Sequence, residues 1–128
     1  MTELASTAVV TGGTRGIGRA VALRLAQSGY QVYFTYVSKP ELAEEVVAEI
    51  EKAGGTAKAF RLDSADSDAV STFFTDEIKG KVSLDVLVNN AGITRDGLIM
   101  RMKDDDFNAV IDINLRGAFY CLREAAKI

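Results

Sequence analysis

The 128-residue sequence has no histidine and no tryptophan, and only one cysteine and one proline. Without histidine there is no His-based nucleophilic triad, and without a Cys/His cluster there is no ordinary zinc site. Cys121 has no internal partner for a disulfide, which fits a reducing compartment. No apolar run approaches the roughly 18 residues that a membrane span needs, and no basic, apolar leader opens the chain. The expectation is a cytoplasmic protein that does not enter a membrane. Acidic residues are missing from one whole stretch. Between Leu4 and Pro40 there is no Asp or Glu, while Arg15, Arg19, Arg24 and Lys39 carry +4, leaving −7 elsewhere to reach the net −3. That overall sign argues against a nucleic-acid surface. Arg19 and Arg24 read as solvated residues of one helix, whereas Arg15 differs because it sits inside the glycine-rich stretch at residues 11–18.

What is present is an ordinary globular composition, 48% hydrophobic and 26% charged, in a chain long enough to bury one core. Strand-like and helix-like segments alternate. Thr7 to Val10 reads as a strand, and Gly16 to Ser28 as a helix with Ile17, Val21 and Leu25 on one face and Gly29 as its stop. Gln31 to Tyr36 is β-branched and aromatic, hence a second strand. Ser38-x-x-Glu41 predicts a capping box ahead of a helix carrying Leu42, Val46, Val47 and Ile50 and ending at Gly54-Gly55. Ala57 to Leu62 is a third strand. Asp66 predicts the cap of a helix running through Val70, Phe73, Phe74 and Ile78 to Gly80. Leu84 to Val88 reads as a strand buried on both faces. A loop follows from Asn89 to about Lys103, and a last helix starts at Asp104-Asp105-Asp106 and runs through Phe107, Val110, Ile111, Leu115, Phe119 and Leu122. This alternation predicts an α/β fold, a doubly wound parallel sheet with helices on both faces. In such sheets ligands bind outside the carboxyl ends of the strands.

Thr11-Gly12-Gly13-Thr14-Arg15-Gly16-Ile17-Gly18 joins the first strand to the first helix. Unpaired N–H groups at a helix N-terminus carry partial positive charge and attract a phosphate, and glycine lets the backbone approach it. The spacing Gly-x-x-x-Gly-x-Gly departs from the commoner Gly-x-Gly-x-x-Gly fingerprint. An NAD site usually carries an acid about 20 residues past such a loop, and Tyr33 to Lys39 contains none. Arg15 and Lys39 instead suit the dianionic 2′-phosphate of NADP(H). Ser38 has two compatible roles, helix cap and phosphate contact. Asp63 either accepts from an adenine amino group or caps the next helix. Asn89-Asn90-Ala91-Gly92 supplies amides that tie neighbouring backbone and small residues that admit a flat cofactor. Asn114 falls in the apolar stripe of the last helix with Val110, Ile111 and Ala118, so its amide needs partners in the core or a role in a site. Asp104-Asp105-Asp106 complements the helix dipole and does not converge on a metal ion.

Taken together, Thr11-Gly12-x-x-x-Gly16-x-Gly18, Asn89-Asn90-Ala91-Gly92 and Asn114 resemble the short-chain dehydrogenases/reductases. Ile93-Thr94-Arg95-Asp96, Arg101-Met102 and Asp112-Ile113-Asn114-Leu115 are more narrowly similar to the bacterial 3-oxoacyl-[acyl-carrier-protein] reductases. Acetoacetyl-CoA reductases are similar through Ile93–Asp96. The resemblance implies a Rossmann-type domain over residues 1–128 with strand order 3-2-1-4. It implies that Gly12, Thr14, Arg15, Gly16, Ile17 and Gly18, with Gly13 in the same loop, meet the cofactor pyrophosphate and ribose. Asp63 and Ser64 would lie near the adenine. Asn90, Ala91 and Gly92, beside Asn89, would lie near a cofactor ribose and the central sheet. Asn114 would be the active-site Asn, its backbone holding a water in a proton relay and distorting the helix.

The family's Tyr-x-x-x-Lys pair has no counterpart here. Four residues after Tyr30, Tyr33, Tyr36 and Tyr120 stand Phe34, Val37, Pro40 and Glu124. The expectation is the NADP(H)-binding part of a reductase acting on a carrier-protein-linked 3-oxoacyl substrate. This part would bind cofactor without catalysing and would leave the fourth strand with an uncovered edge. The intact protein would be a homo-oligomer. A non-catalytic nucleotide-binding module is the reading from another class.

Overall fold

The computed structural model describes residues 3–128. Four strands, β1 (Ser6–Val10), β2 (Gln31–Tyr36), β3 (Ala57–Arg61) and β4 (Ser83–Val88), form one parallel sheet in the order β3-β2-β1-β4. Between them lie helices α1 (Gly16–Gln27), α2 (Pro40–Lys52) and α3 (Ser67–Phe73), the last continued by a π-helical turn, Phe74–Ile78. After β4 come a single 3₁₀ turn (Ile99–Arg101), α4 (Asp104–Ile111), a second π-helical turn (Asp112–Gly117) and α5 (Ala118–Ala126). Among the described residues no helix is long and apolar enough to cross a membrane. The expected fold class and strand order are those found.

The pleat of β1 divides the core. Val10 faces one side, where Val32, Phe34 and Ala57 pack with Ala22 of α1 and Ala43, Val46 and Ile50 of α2. Val9 faces the other, where Leu62, Val82 and Cys121 of α5 pack with Val70, Phe73, Phe74 and Ile78. Phe34, Phe74, Ile50 and Ile78 are fully buried; removing such a side chain from water contributes about 1.5–3 kcal/mol each. Because β1 lies between β2 and β4 and is buried from Thr7 to Val10, the loop that leaves it emerges at the centre of the sheet's carboxyl edge.

Five local expectations are corrected. The capping box does not form: Lys39, not Ser38, occupies the N-cap of α2 at φ 58°, with no side-chain cap. Pro40 sits in the first turn and disfavours ordinary helical backbone for the residue before it, so the helix boundary moves and strands the Ser38 hydroxyl one residue out. The helix capped by Asp66 widens into π geometry after Phe73 instead of running on as an α-helix to Ile78. β4 is half-buried with Asp85 exposed, because it is the outermost strand of this sheet. Ile17 is 77% exposed rather than on a buried face, since Gly18 and Ala22 turn inward. The last helix runs on through a π-helical turn at residues 112–117, the distortion that the resemblance implied, but its inward face is Gly117, Cys121 and Glu124, while Leu115, Phe119 and Leu122 are exposed. The reason is steric. A Cβ on Gly117 would lie 2.9 Å from Ser64 Cβ, so the closest approach selects the residue without a side chain.

Burial pushes the Cys121 thiol from 9.0 up to about 11, with the neighbouring Ser64 hydroxyl acting weakly the other way. The folded state therefore resists thiolate formation. Its contribution is intact below the ordinary thiol pKa and is lost as pH rises toward about 11. Urea unfolding across the alkaline range is expected to show this loss, and Cys121→Ala to flatten it. The Asp66 carboxylate accepts from the Ala69 N–H at 3.1 Å, so Asp66→Ala is expected to cost about 1 kcal/mol by urea unfolding, whereas Ser38→Ala stays within about 0.5 kcal/mol.

Candidate functional site

Thr11 is the hub of the carboxyl edge. Its Oγ1 accepts from the N–H of Asn90 at 3.1 Å and of Ala91 at 3.0 Å. Its own N–H donates to the Val88 carbonyl at 3.1 Å. Asn90 reciprocates, its Nδ2 donating to the Gly12 carbonyl at 2.9 Å. Two loops nearly eighty residues apart are thus sewn together. The glycines are required by this closeness: Gly12 has φ +70°, and a Cβ on Gly18 would fall 1.9 Å from the Gly12 carbonyl oxygen and 2.4 Å from Asn90 Nδ2. Gly13 lies directly on Phe34, 2.7 Å from its Cβ were a side chain added.

Not every N–H of the loop points outward. Gly12 donates to Thr35 Oγ1 at 3.2 Å and Gly13 to the Thr35 carbonyl at 3.0 Å. Those bonds hold the loop against β2. Among the donors left are those of the first turn of α1, Gly16, Ile17 and Gly18, which have no partner among the described residues. That turn contains no acid. Arg15 is exposed beside it, and no carboxylate pairs with it among the described residues. Free donors, a positive helix terminus and an unpaired guanidinium in one place suit a phosphate group.

The opposite wall is made by Asn114. It is exposed, not buried in an apolar stripe, because it lies in the wide turn at 112–117, out of phase with the inward face of α5. Its amide found backbone partners: Oδ1 accepts from the Ile93 N–H at 2.8 Å and Nδ2 donates to the Ile93 carbonyl at 2.9 Å. This two-point clamp fixes the loop after β4. Gly92 beside it has room for only a hydrogen, since a Cβ would sit 3.0 Å from Asn114 Oδ1. Arg15, Asn90, Gly92, Ile93, Thr94, Arg95 and Asn114 together line an open cleft of about 510 Å³.

The remaining expected residues fall around this cleft unevenly. Asn89 turns to the last helix, donating to the Ala118 carbonyl at 3.3 Å. Asp63 is exposed and closes a local turn, accepting from Ala65 N–H at 2.9 Å. Ser64 is buried beneath Gly117, and its hydroxyl has no hydrogen bond of normal geometry, its weak neighbour being the Cys121 thiol. Ser38 and Lys39 are exposed at the end of β2, as are Thr94 and Arg95 in the loop after β4. Sequence reasoning missed Thr11, Thr35 and Ile93 as structural members of the site. Thr11 stood in the motif it quoted, but nothing local reveals that a hydroxyl serves two amides on another loop. Thr11→Val keeps the volume and removes that acceptor. We expect a loss of about 2 kcal/mol by urea unfolding, with faster hydrogen exchange at the Asn90 and Ala91 amides.

This geometry agrees with known proteins. The chain is 47% identical over 123 residues to a 3-oxoacyl-[acyl-carrier-protein] reductase FabG of Staphylococcus aureus, covering 96% of this chain and 50% of that protein. It is 46% identical to a 3-oxoacyl-[acyl-carrier-protein] reductase of Synechocystis, covering 100% of this chain and 52% of that protein. Among solved structures it superposes on a dehydrogenase/reductase from Sinorhizobium meliloti with TM-score 0.90 and 43% identity, over 98% of this chain and 50% of that one. It superposes on a short chain dehydrogenase from Burkholderia cenocepacia, solved in complex with NADP, with TM-score 0.88 and 43% identity, over 94% and 49% of the two chains. The chain thus spans about half the length of the curated relatives it matches. Its residues 6–128 match the short chain dehydrogenase family model, and the chain belongs to the short-chain dehydrogenase/reductase family.

Proposed function

We propose that this chain is the NADP(H)-binding part of a reductase that converts a 3-oxoacyl group carried on acyl carrier protein to the 3-hydroxyacyl form, in fatty acid synthesis in the cytoplasm. The observation that carries the cofactor half is the acid-free first turn of α1 with Arg15 unpaired beside it. At the helix start Gly16, at φ +57°, has nothing within 4 Å of where a Cβ would stand, so a phosphate-bearing molecule can approach the backbone there. The fit is therefore good. Bound there, the dinucleotide supplies the hydride that reduces the carbonyl.

The chain's own residues bind and orient. The free amides of Gly16, Ile17 and Gly18 take the pyrophosphate, with Gly12, Gly13 and Thr14 shaping the loop. Arg15, Ser38 and Lys39 take the 2′-phosphate. Asp63 retains a carboxylate oxygen free for the adenine amino group, and Ser64 contributes the backbone that supports it. Asn89, Asn90, Ala91 and Gly92 form the floor on which the cofactor lies. Asn114, its side chain engaged on Ile93, offers only its main chain to a water that supplies protons.

The carrier-linked substrate rests on similarity to two 3-oxoacyl-[acyl-carrier-protein] reductases. A second reading, acetoacetyl-CoA as substrate, is favoured by the shared Ile93–Asp96 stretch. With no Tyr followed four residues on by Lys, the 128 residues alone are proposed to bind without turnover, and the intact enzyme to act as a homo-oligomer.

Calorimetric titration of this chain is expected to show NADPH binding at least about tenfold more tightly than NADH. Equal affinities, or a preference for NADH, would refute the cofactor reading. Mixed with NADPH and either thioester, the chain is expected to give no loss of the cofactor's near-ultraviolet absorbance. Turnover at the rate of a longer relative would refute the catalytic assignment. A longer protein carrying these residues and a Tyr-x-x-x-Lys segment is expected to favour the carrier-protein thioester over the CoA thioester.

A further inference from the structure

We propose that Arg61, at the last position of β3, is a third cation of the 2′-phosphate site and helps set NADP(H) preference; this rests on the cofactor reading above. The placement follows from register and pleat. Arg61 pairs with Tyr36, the last residue of β2, and Leu62 N–H donates to the Tyr36 carbonyl at 2.9 Å. The carboxyl ends of the two strands are therefore level, and Ser38-Lys39 lies two residues beyond that pair. Side chains alternate along a strand. Ala57 and Ala59 face the α1/α2 side and Phe60 the opposite side, so Arg61 shares the face of Ala57 and Ala59.

The glycine turn lies on that same face, because Gly13 rests on Phe34, whose side chain packs with α1 and α2. Arg15, Lys39 and Arg61 thus rise from three successive loops or strand ends on one side of the sheet. The other cations nearby are engaged or distant. Arg19 pairs with Glu49 at 2.6 Å, Arg24 bonds Ser28 at 2.7 Å, and Lys58 sits 5.2 Å from the Phe60 ring centre on the far face. Arg61 is exposed and has no carboxylate partner among the described residues. A dianion is what three unpaired cations at neighbouring strand ends of one sheet edge can neutralise.

The test is calorimetry on the full chain with four probes: NADPH, NADH, adenosine 2′,5′-bisphosphate and adenosine 5′-monophosphate. Arg61→Gln is expected to weaken NADPH and the bisphosphate by roughly five- to tenfold and leave NADH and the monophosphate within about twofold. Arg61→Lys is expected to keep most of the preference. If the unaltered chain prefers NADPH and both Arg61→Gln and Arg61→Met, each folded by thermal melt, keep that preference, the role of Arg61 is overturned and the cofactor reading stands. If the unaltered chain shows no preference, or binds none of the probes, both fall. Equal weakening of all four probes would show a general structural effect and would also overturn the proposal.

Discussion

The site depends on the joining of two loops through Thr11 and Asn90. A carbonyl and a hydroxyl on the loop after β1 meet two N–H groups and an amide on the loop after β4. Each of these groups would otherwise be a partly buried polar atom without water, at a cost of about 1–3 kcal/mol. Satisfying them reciprocally fixes the gap between the loops, and the absent side chains of Gly12 and Gly18 set its width. Thr35 then pins the outer flank of the glycine turn by taking the N–H groups of Gly12 and Gly13. The N–H groups at the helix start take no part in this network, as the first turn of a helix offers them no acceptor.

The same economy of donors appears on the far wall. Asn114 gives both halves of its amide to Ile93, so the loop after β4 is held along its length, first by Asn90 and then by Asn114. The cleft between these walls is polar where it is anchored and lined by backbone where a ligand must lie close. A cleft of this kind is defined as much by main chain as by side chain.

The strand positions were legible because each strand is a short apolar or β-branched run bounded by turn residues, while the sheet order followed from the family resemblance. β2 was legible to the residue, from Gln31 to Tyr36. The Asp66 cap was legible because it depends only on its own four residues. What failed depended on contacts from elsewhere in the chain. The last helix carries apolar residues on two faces, and only the approach of Ser64 to Gly117 decides which face turns inward. Ile17 looked like core because its spacing suited one face, but the sheet meets α1 through Gly18 and Ala22. Ser38 had the right spacing for a cap and lost it to the backbone demands of Pro40. Of the site, the glycine turn and the two asparagines were readable as motifs. Thr35 was not, since a threonine within a strand carries no sign of what its hydroxyl will meet.

The wide turn at Asp112–Gly117 acts as a phase shifter in an otherwise regular rod. Each residue advances an α-helix by about 100°, and a π turn accommodates one residue more than the regular spacing, so the segments on either side are rotated against each other. Within the turn Asn114 faces the cleft; beyond it Cys121 and Glu124 face the core. An unbroken helix would meet one of these requirements at the expense of the other. Cleft geometry and core packing are thus uncoupled along a single element, and either can drift in sequence without dragging the other out of register.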